Sequence, residues 1–142
     1  MTIRNMNNIP PKDSISHQYL VNVNDEDIDT LNHVNNLVYL KWVNDASEKH
    51  WAILANDEIN RKYYWICLRH EIDYLGEAFC DDEIIVITWV GESKGVKSIR
   101  HVAIVKNKKV IAKAETTWCL IDSKTQKPTR VSSEILDLLY TK

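Results

Sequence analysis

The segment Asp25-Glu26-Asp27-Ile28-Asp29-Thr30-Leu31-Asn32-His33-Val34-Asn35-Asn36 separates two stretches of different period. Asn and Asp side chains bond to nearby backbone groups and so favour turns and helix caps over regular ladders. Before the segment, His17 to Val23 alternates, with Tyr19, Val21 and Val23 on one face, which is the period of a half-buried strand. After it, Tyr39, Trp42, Val43, Ala46, His50, Ile53 and Leu54 recur at helical spacing. Asn36 to Asn56 therefore reads as one long amphipathic helix, capped by Asn35 or Asn36. The segment is the loop by which a strand enters that helix.

Farther out, a charged break at Asp57 to Lys62 leads into strand periods that persist. Trp65 to Tyr74 sets Ile66, Leu68, His70, Ile72 and Tyr74 on one face, and Glu83 to Gly91 is apolar on both faces in its middle. Ser98 to Lys106 and Val110 to Ile121 flank a short turn at Asn107 and Lys108, the pattern of a hairpin. Ser132 or Ser133 caps a last short helix with Ile135, Leu138 and Leu139 inward. Strands joined by short turns are antiparallel neighbours, and a single sheet leaves an apolar face that only the long helix is large enough to cover. The expected class is α+β: an antiparallel sheet of about five strands wrapped around one long central helix, with a short C-terminal helix.

With 142 residues there is room for one domain, spanning 1–142 with a polar leader over 1–15. The hydrophobic share of 44% and charged share of 27% exclude disordered, fibrous and membrane compositions. Eighteen Lys and Arg against twenty Asp and Glu give a net charge of -2 with no basic stripe, so no nucleic-acid partner is expected. The N-terminus lacks an apolar run long enough for a signal or a membrane span, so no membrane partner is expected either. Cys67, Cys80 and Cys119 lie in or beside apolar runs without C-x-x-C spacing, which suits free thiols in a reducing cytoplasm. His17, His50, His70 and His101 are scattered, with no H-x-x-x-H and no H-E-x-x-H, so neither a metal nor a cofactor is expected. No G-x-S-x-G points to serine chemistry.

The chemistry-bearing candidate is the loop itself. A helix N-terminus presents unpaired N–H groups and about half a unit of positive charge, which suits a carbonyl oxygen that turns negative during acyl transfer. An acid a few residues earlier is placed to serve as nucleophile or base.

The run Asp27-x-Asp29-x-x-Asn32-His33-Val34-Asn35-Asn36-x-x-Tyr39-x-x-Trp42 resembles the motif D-x-D-x-x-G-H-V-N-N-x-x-Y of the hotdog-fold thioesterases of the 4-hydroxybenzoyl-CoA thioesterase type. The likeness extends to Tyr74–Val86 and Trp118–Pro128. It implies hydrolysis of an acyl-CoA or acyl carrier protein thioester. Asp29 would be the catalytic carboxylate, attacking the thioester carbonyl or orienting water, and the Asn36 backbone N–H would be the oxyanion donor. Asn32, His33, Val34, Asn35 and Tyr39 would surround the substrate, and the protein would assemble as a homodimer or homotetramer with the site between protomers.

Two positions depart from the pattern. Asn32 replaces the motif glycine; asparagine is the next most tolerant residue in a left-handed conformation, so the turn should survive. Asp81 stands where the family often has glycine, in a turn expected to be remote from the chemistry. The rival functions are a non-catalytic acyl-thioester binding module and, less well matched, a dehydratase. Lys94, Lys97, Arg100 and Lys127 are candidates for meeting CoA phosphates, although solvated surface is the commoner role of such residues.

Overall fold

A computed structural model describes residues 9–141. Residues 1–8 of the expected polar leader lie outside them, and the described 9–15 are integrated into the fold. Ile9 packs on one apolar cluster and Ile15 on another, and the Val90 amide donates to the Ile15 carbonyl at 3.1 Å.

Strand β1 (Ser16–Asn22) leads through the acidic loop into α1 (Asn36–Leu54), then the one-and-a-half-turn α2 (Asp57–Lys62). Four strands follow: β2 (Tyr63–Tyr74), β3 (Glu83–Lys94), β4 (Lys97–Lys106) and β5 (Lys109–Asp122). The two-residue β6 (Lys127–Pro128) and α3 (Ser133–Tyr140) complete the order. The sheet runs β1-β3-β4-β5-β2 with antiparallel neighbours throughout, and β6 adds to the end of β5. The β4–β5 turn is made by Asn107 and Lys108, both at positive φ (48° and 65°), the two-residue geometry whose twist matches the flanking strands.

The sheet curls around α1. Tyr39, Trp42, Val43 and Ala46 bury the helix stripe against Ile84 and Val86 of β3, Val102 and Ile104 of β4, and Ala112 and Ala114 of β5. At the far end, Ile135 and Leu139 of α3 close over Leu120, Val90 and Ile59, with Trp51 and Trp65 packed alongside. Ile87, Ala103, Val105 and Val110 form a smaller cluster on the opposite face, flanked by Ile9 and Leu75. A curled antiparallel sheet around one long helix is the hotdog fold.

Three local expectations change. The long helix stops at Leu54, and Ile53 lies 63% exposed, so the apolar stripe is narrower than its spacing suggests. The charged break is helical, because Asn56 accepts the Ile59 amide at 2.9 Å and Ile59 supplies a buried anchor. In β2, the register shifts between Cys67 and Arg69, so Leu68 is an extra residue and the single expected face splits in two. Ile66 and Leu68 consequently face outward, at 44% and 52% exposure.

Candidate active site

The acidic loop is held by its own side chains. Asp25–Asp27 make a single 3-10 turn, where the Asn24 amide donates to Asp27 Oδ2 at 2.9 Å. Ile28 and Val34 then pair as an isolated antiparallel bridge, and the five residues between them form a tight loop. The Asp29 amide donates to the His33 carbonyl at 2.8 Å, and the Asn32 amide to the Asp29 carbonyl at 3.0 Å. Asp29 Oδ1 accepts the Leu31 amide at 2.9 Å and the His33 amide at 3.3 Å. Its Oδ2 makes none of the described hydrogen bonds, so one carboxylate oxygen shapes the loop and the other is uncommitted. Asn32 sits at φ 69°, the left-handed conformation in which the motif's glycine would be at ease.

The start of α1 leaves one donor over. Asn35 is the N-cap, and its side-chain oxygen accepts the Leu37 amide at 2.9 Å. Its carbonyl takes the Val38 amide at 2.8 Å, and its own amide donates to the Asp27 carbonyl at 2.9 Å. Among the described residues, the Asn36 N–H has no partner.

Both features border one cleft of about 560 Å³, lined by Asp29, His33, Val34, Asn35, Asn36 and Tyr39 of the predicted set. Asn32 does not line it and is exposed. Val34 is buried, its amide donating to the Ala78 carbonyl at 2.9 Å. Tyr39 is chiefly a core residue, edge-on to Trp42 and Tyr74 at 5.4 and 5.6 Å between ring centres, and burial raises its phenol above the ordinary value. His33 Nδ1 lies 3.5 Å from Glu77 Oε1, and its ring meets Phe79 edge-on at 5.4 Å.

Sequence reasoning did not anticipate the opposite wall, Tyr74, Leu75, Gly76 and Glu77, where the chain leaves β2. The one signal there is Gly76. A Cβ at this position would stand 3.0 Å from Ile111 Cγ2, while the amides of Leu75 and Gly76 both donate to the Ile111 carbonyl. A side chain here would press on Ile111, which would have to give by a few tenths of an ångström.

Two further expectations need correction. The turn carrying Asp81 abuts the motif loop: besides the Phe79–His33 contact, the Cys80 thiol donates to Asp25 Oδ1 at 2.8 Å. That hydrogen bond to a carboxylate is the main reason the Cys80 thiol is pushed up to about 11. Of the four basic candidates, Lys94, Lys97 and Lys127 are exposed, but Arg100 is only 7% exposed and is no surface cation.

The model of the thioesterase-like superfamily matches residues 23–139. No curated protein matches the sequence significantly. Among solved structures, a probable thioesterase from Escherichia coli superposes with a TM-score of 0.75 at 25% identity, covering 87% of this chain and 98% of that one. A 1,4-dihydroxy-2-naphthoyl-CoA thioesterase from Synechocystis gives 0.76 at 16% identity, covering 88% and 96%. A Thermus thermophilus thioesterase complexed with coenzyme A and zinc gives 0.77 at 22% identity, covering 86% and 90%. With the family model spanning most of its length, the chain belongs to the thioesterase-like superfamily.

Proposed function

We propose that the protein hydrolyses an acyl thioester, on coenzyme A or an acyl carrier protein, to a carboxylic acid and a thiol. One observation carries the reading: a carboxylate with an uncommitted oxygen, Asp29, shares a cleft with the unpartnered Asn36 amide at a helix N-terminus. The thioester oxygen receives the Asn36 N–H, whose dipole-aligned position stabilises the negative charge of the tetrahedral intermediate. Asp29 Oδ2 either attacks the carbonyl carbon, giving an acyl-aspartyl anhydride that water then cleaves, or removes a proton from the attacking water. In both routes the thiol departs and the carboxylate is regenerated. The catalytic apparatus calls for no metal or cofactor.

Coenzyme A as carrier is supported by the Thermus thioesterase complexed with it, and by a Staphylococcus aureus protein solved in complex with CoA that shares this fold. The rival reading is a binding module without chemistry, for which a pocket reshaped by Asn32 would be one ground; Asn32 lies outside the cleft lining.

A homodimer or homotetramer is part of the proposal. Edge strand β2 is 12 residues long, pairs with β5 on one side only, and exposes Tyr64, Ile66, Leu68 and Tyr74. Such an edge invites a second copy, and pairing there sets a partner beside the cleft wall at Tyr74–Glu77. A cytoplasmic location accords with the three free cysteines and with described helices too short or too polar to cross a membrane.

A thiol-release assay across short, medium, long and aromatic acyl-CoAs tests the function. Release with at least one class is expected. Saturable binding of acyl-CoA without release would favour the binding module.

A further inference from the structure

A second cavity, of about 250 Å³, lies between the C-terminal half of α1 and the start of β2. Ser47 and Trp51 border it, about 16 and 22 Å along the helix from Asn36 at 1.5 Å per residue, so it is separate from the cleft within one chain. Its walls are aromatic, with Trp51, Trp65 and Trp118 contributing and the first two rings edge-on at 5.6 Å. The Trp118 N–H is occupied by Thr116 Oγ1 at 2.9 Å, so that wall offers no spare donor.

Arg100 also lines the cavity. Its Nη1 donates to His50 Nδ1 at 2.7 Å and to Thr88 Oγ1 at 3.1 Å, both neutral groups. Burial and the neighbouring guanidinium hold His50 down to about 4, so the imidazole keeps the lone pair that this bond needs. Burial lowers Arg100 as well, to about 10, which leaves it charged at neutral pH. Among the described residues Arg100 forms no ion pair. The one acid among the lining residues, Glu48, is exposed and takes a hydrogen bond from Asn44 at 3.2 Å.

A guanidinium carries five N–H groups, and the side-on pair formed by Nε and Nη2 is the fork that grips a carboxylate with two parallel bonds. Neither nitrogen has a described partner. The one described side-chain polar atom fully buried without a bond is Ser132 Oγ, so neither nitrogen is fully enclosed. A buried cation facing an apolar chamber without a counter-ion is costly unless an anion completes it.

We propose that this cavity is a binding site for a small organic carboxylate with an aromatic or branched apolar body, its carboxylate gripped by Arg100 and its body held among the tryptophans. A dry cavity of about 150 Å³ accepts benzene, so the larger volume here admits a ring together with its carboxylate. The proposal does not depend on thioester hydrolysis, and its test uses no thioester.

The experiment is calorimetric titration of the full chain with phenylacetate and with its neutral isostere phenylacetamide, followed in parallel by tryptophan fluorescence. Saturable phenylacetate binding is expected, with the amide about 10- to 100-fold weaker because a charged hydrogen-bond pair is lost. Arg100→Gln should erase the preference for the acid. Ser47→Leu, which keeps the cation but fills the chamber, should abolish binding of both while circular dichroism stays unchanged. If Arg100→Gln fails to fold, the acid–amide comparison and Ser47→Leu still decide. Equal binding of acid and amide, binding unaffected by Ser47→Leu, or no saturable binding at millimolar phenylacetate would overturn the proposal.

Discussion

Asp29 and His33 clamp each other across the motif loop: the Asp29 amide donates to the His33 carbonyl at 2.8 Å, and the His33 amide returns to Asp29 Oδ1 at 3.3 Å. The same aspartate therefore shapes the turn through Oδ1 and lines the cleft. In the proposed mechanism the structural and chemical roles fall to two atoms of one carboxylate, and this makes the loop open to dissection by substitution.

Asn32 tests the turn without touching the chemistry. At φ 69°, Asn32→Gly should leave the melting temperature nearly unchanged, whereas Asn32→Val should cost about 1–2 kcal/mol, roughly 3–8 °C by thermal melting. Equal melting of the two variants would show that the conformation carries no strain for a branched side chain.

His50 gives stability a predictable pH dependence. Its folded value is lowered from 6.5 to about 4, principally by burial, with Arg100 and then His17 adding repulsion. Below pH 6.5 the unfolded chain takes up a proton that the folded chain refuses. Stability is thus full above that pH and falls as pH drops toward 4, by on the order of 3 kcal/mol for a group only 2% exposed. Denaturant midpoints from pH 8 to 4 should show the slope in the wild type and a shallower one in His50→Asn. Identical slopes would remove His50 as its source.

Edge strand β2 should carry self-association. Ile66→Lys places a charge on an apolar, outward-facing position, and light scattering should report a shift from dimer or tetramer toward monomer, with thioesterase turnover falling in parallel. A monomeric wild type would contradict self-association, and a variant with unchanged assembly would place the interface elsewhere.

The acidic loop and the helix entry were legible from sequence because they are contiguous and their signals are local: a cap, a tolerated left-handed residue and a stripe beginning at Tyr39. The opposite wall of the cleft was not, since Tyr74 to Glu77 reach it only through the pairing of β2 with β5. The β2 bulge hid for a related reason. Ile66, Leu68, His70, Ile72 and Tyr74 alternate without fault, and only the register against Thr117 and Trp118 reveals the extra residue. Arg100 looked like any other surface base, because its burial depends on β4 lying at the centre of the curl, beneath His50 of α1.

The uncommitted oxygen of Asp29 is the centre of the account, and Asp29→Asn isolates it, because the amide oxygen still accepts the Leu31 and His33 amides. Single-turnover thiol release from the best acyl-CoA should slow by about 10²- to 10⁴-fold, with melting temperature and oligomeric state unchanged. Release at the wild-type rate by a correctly folded variant would contradict it.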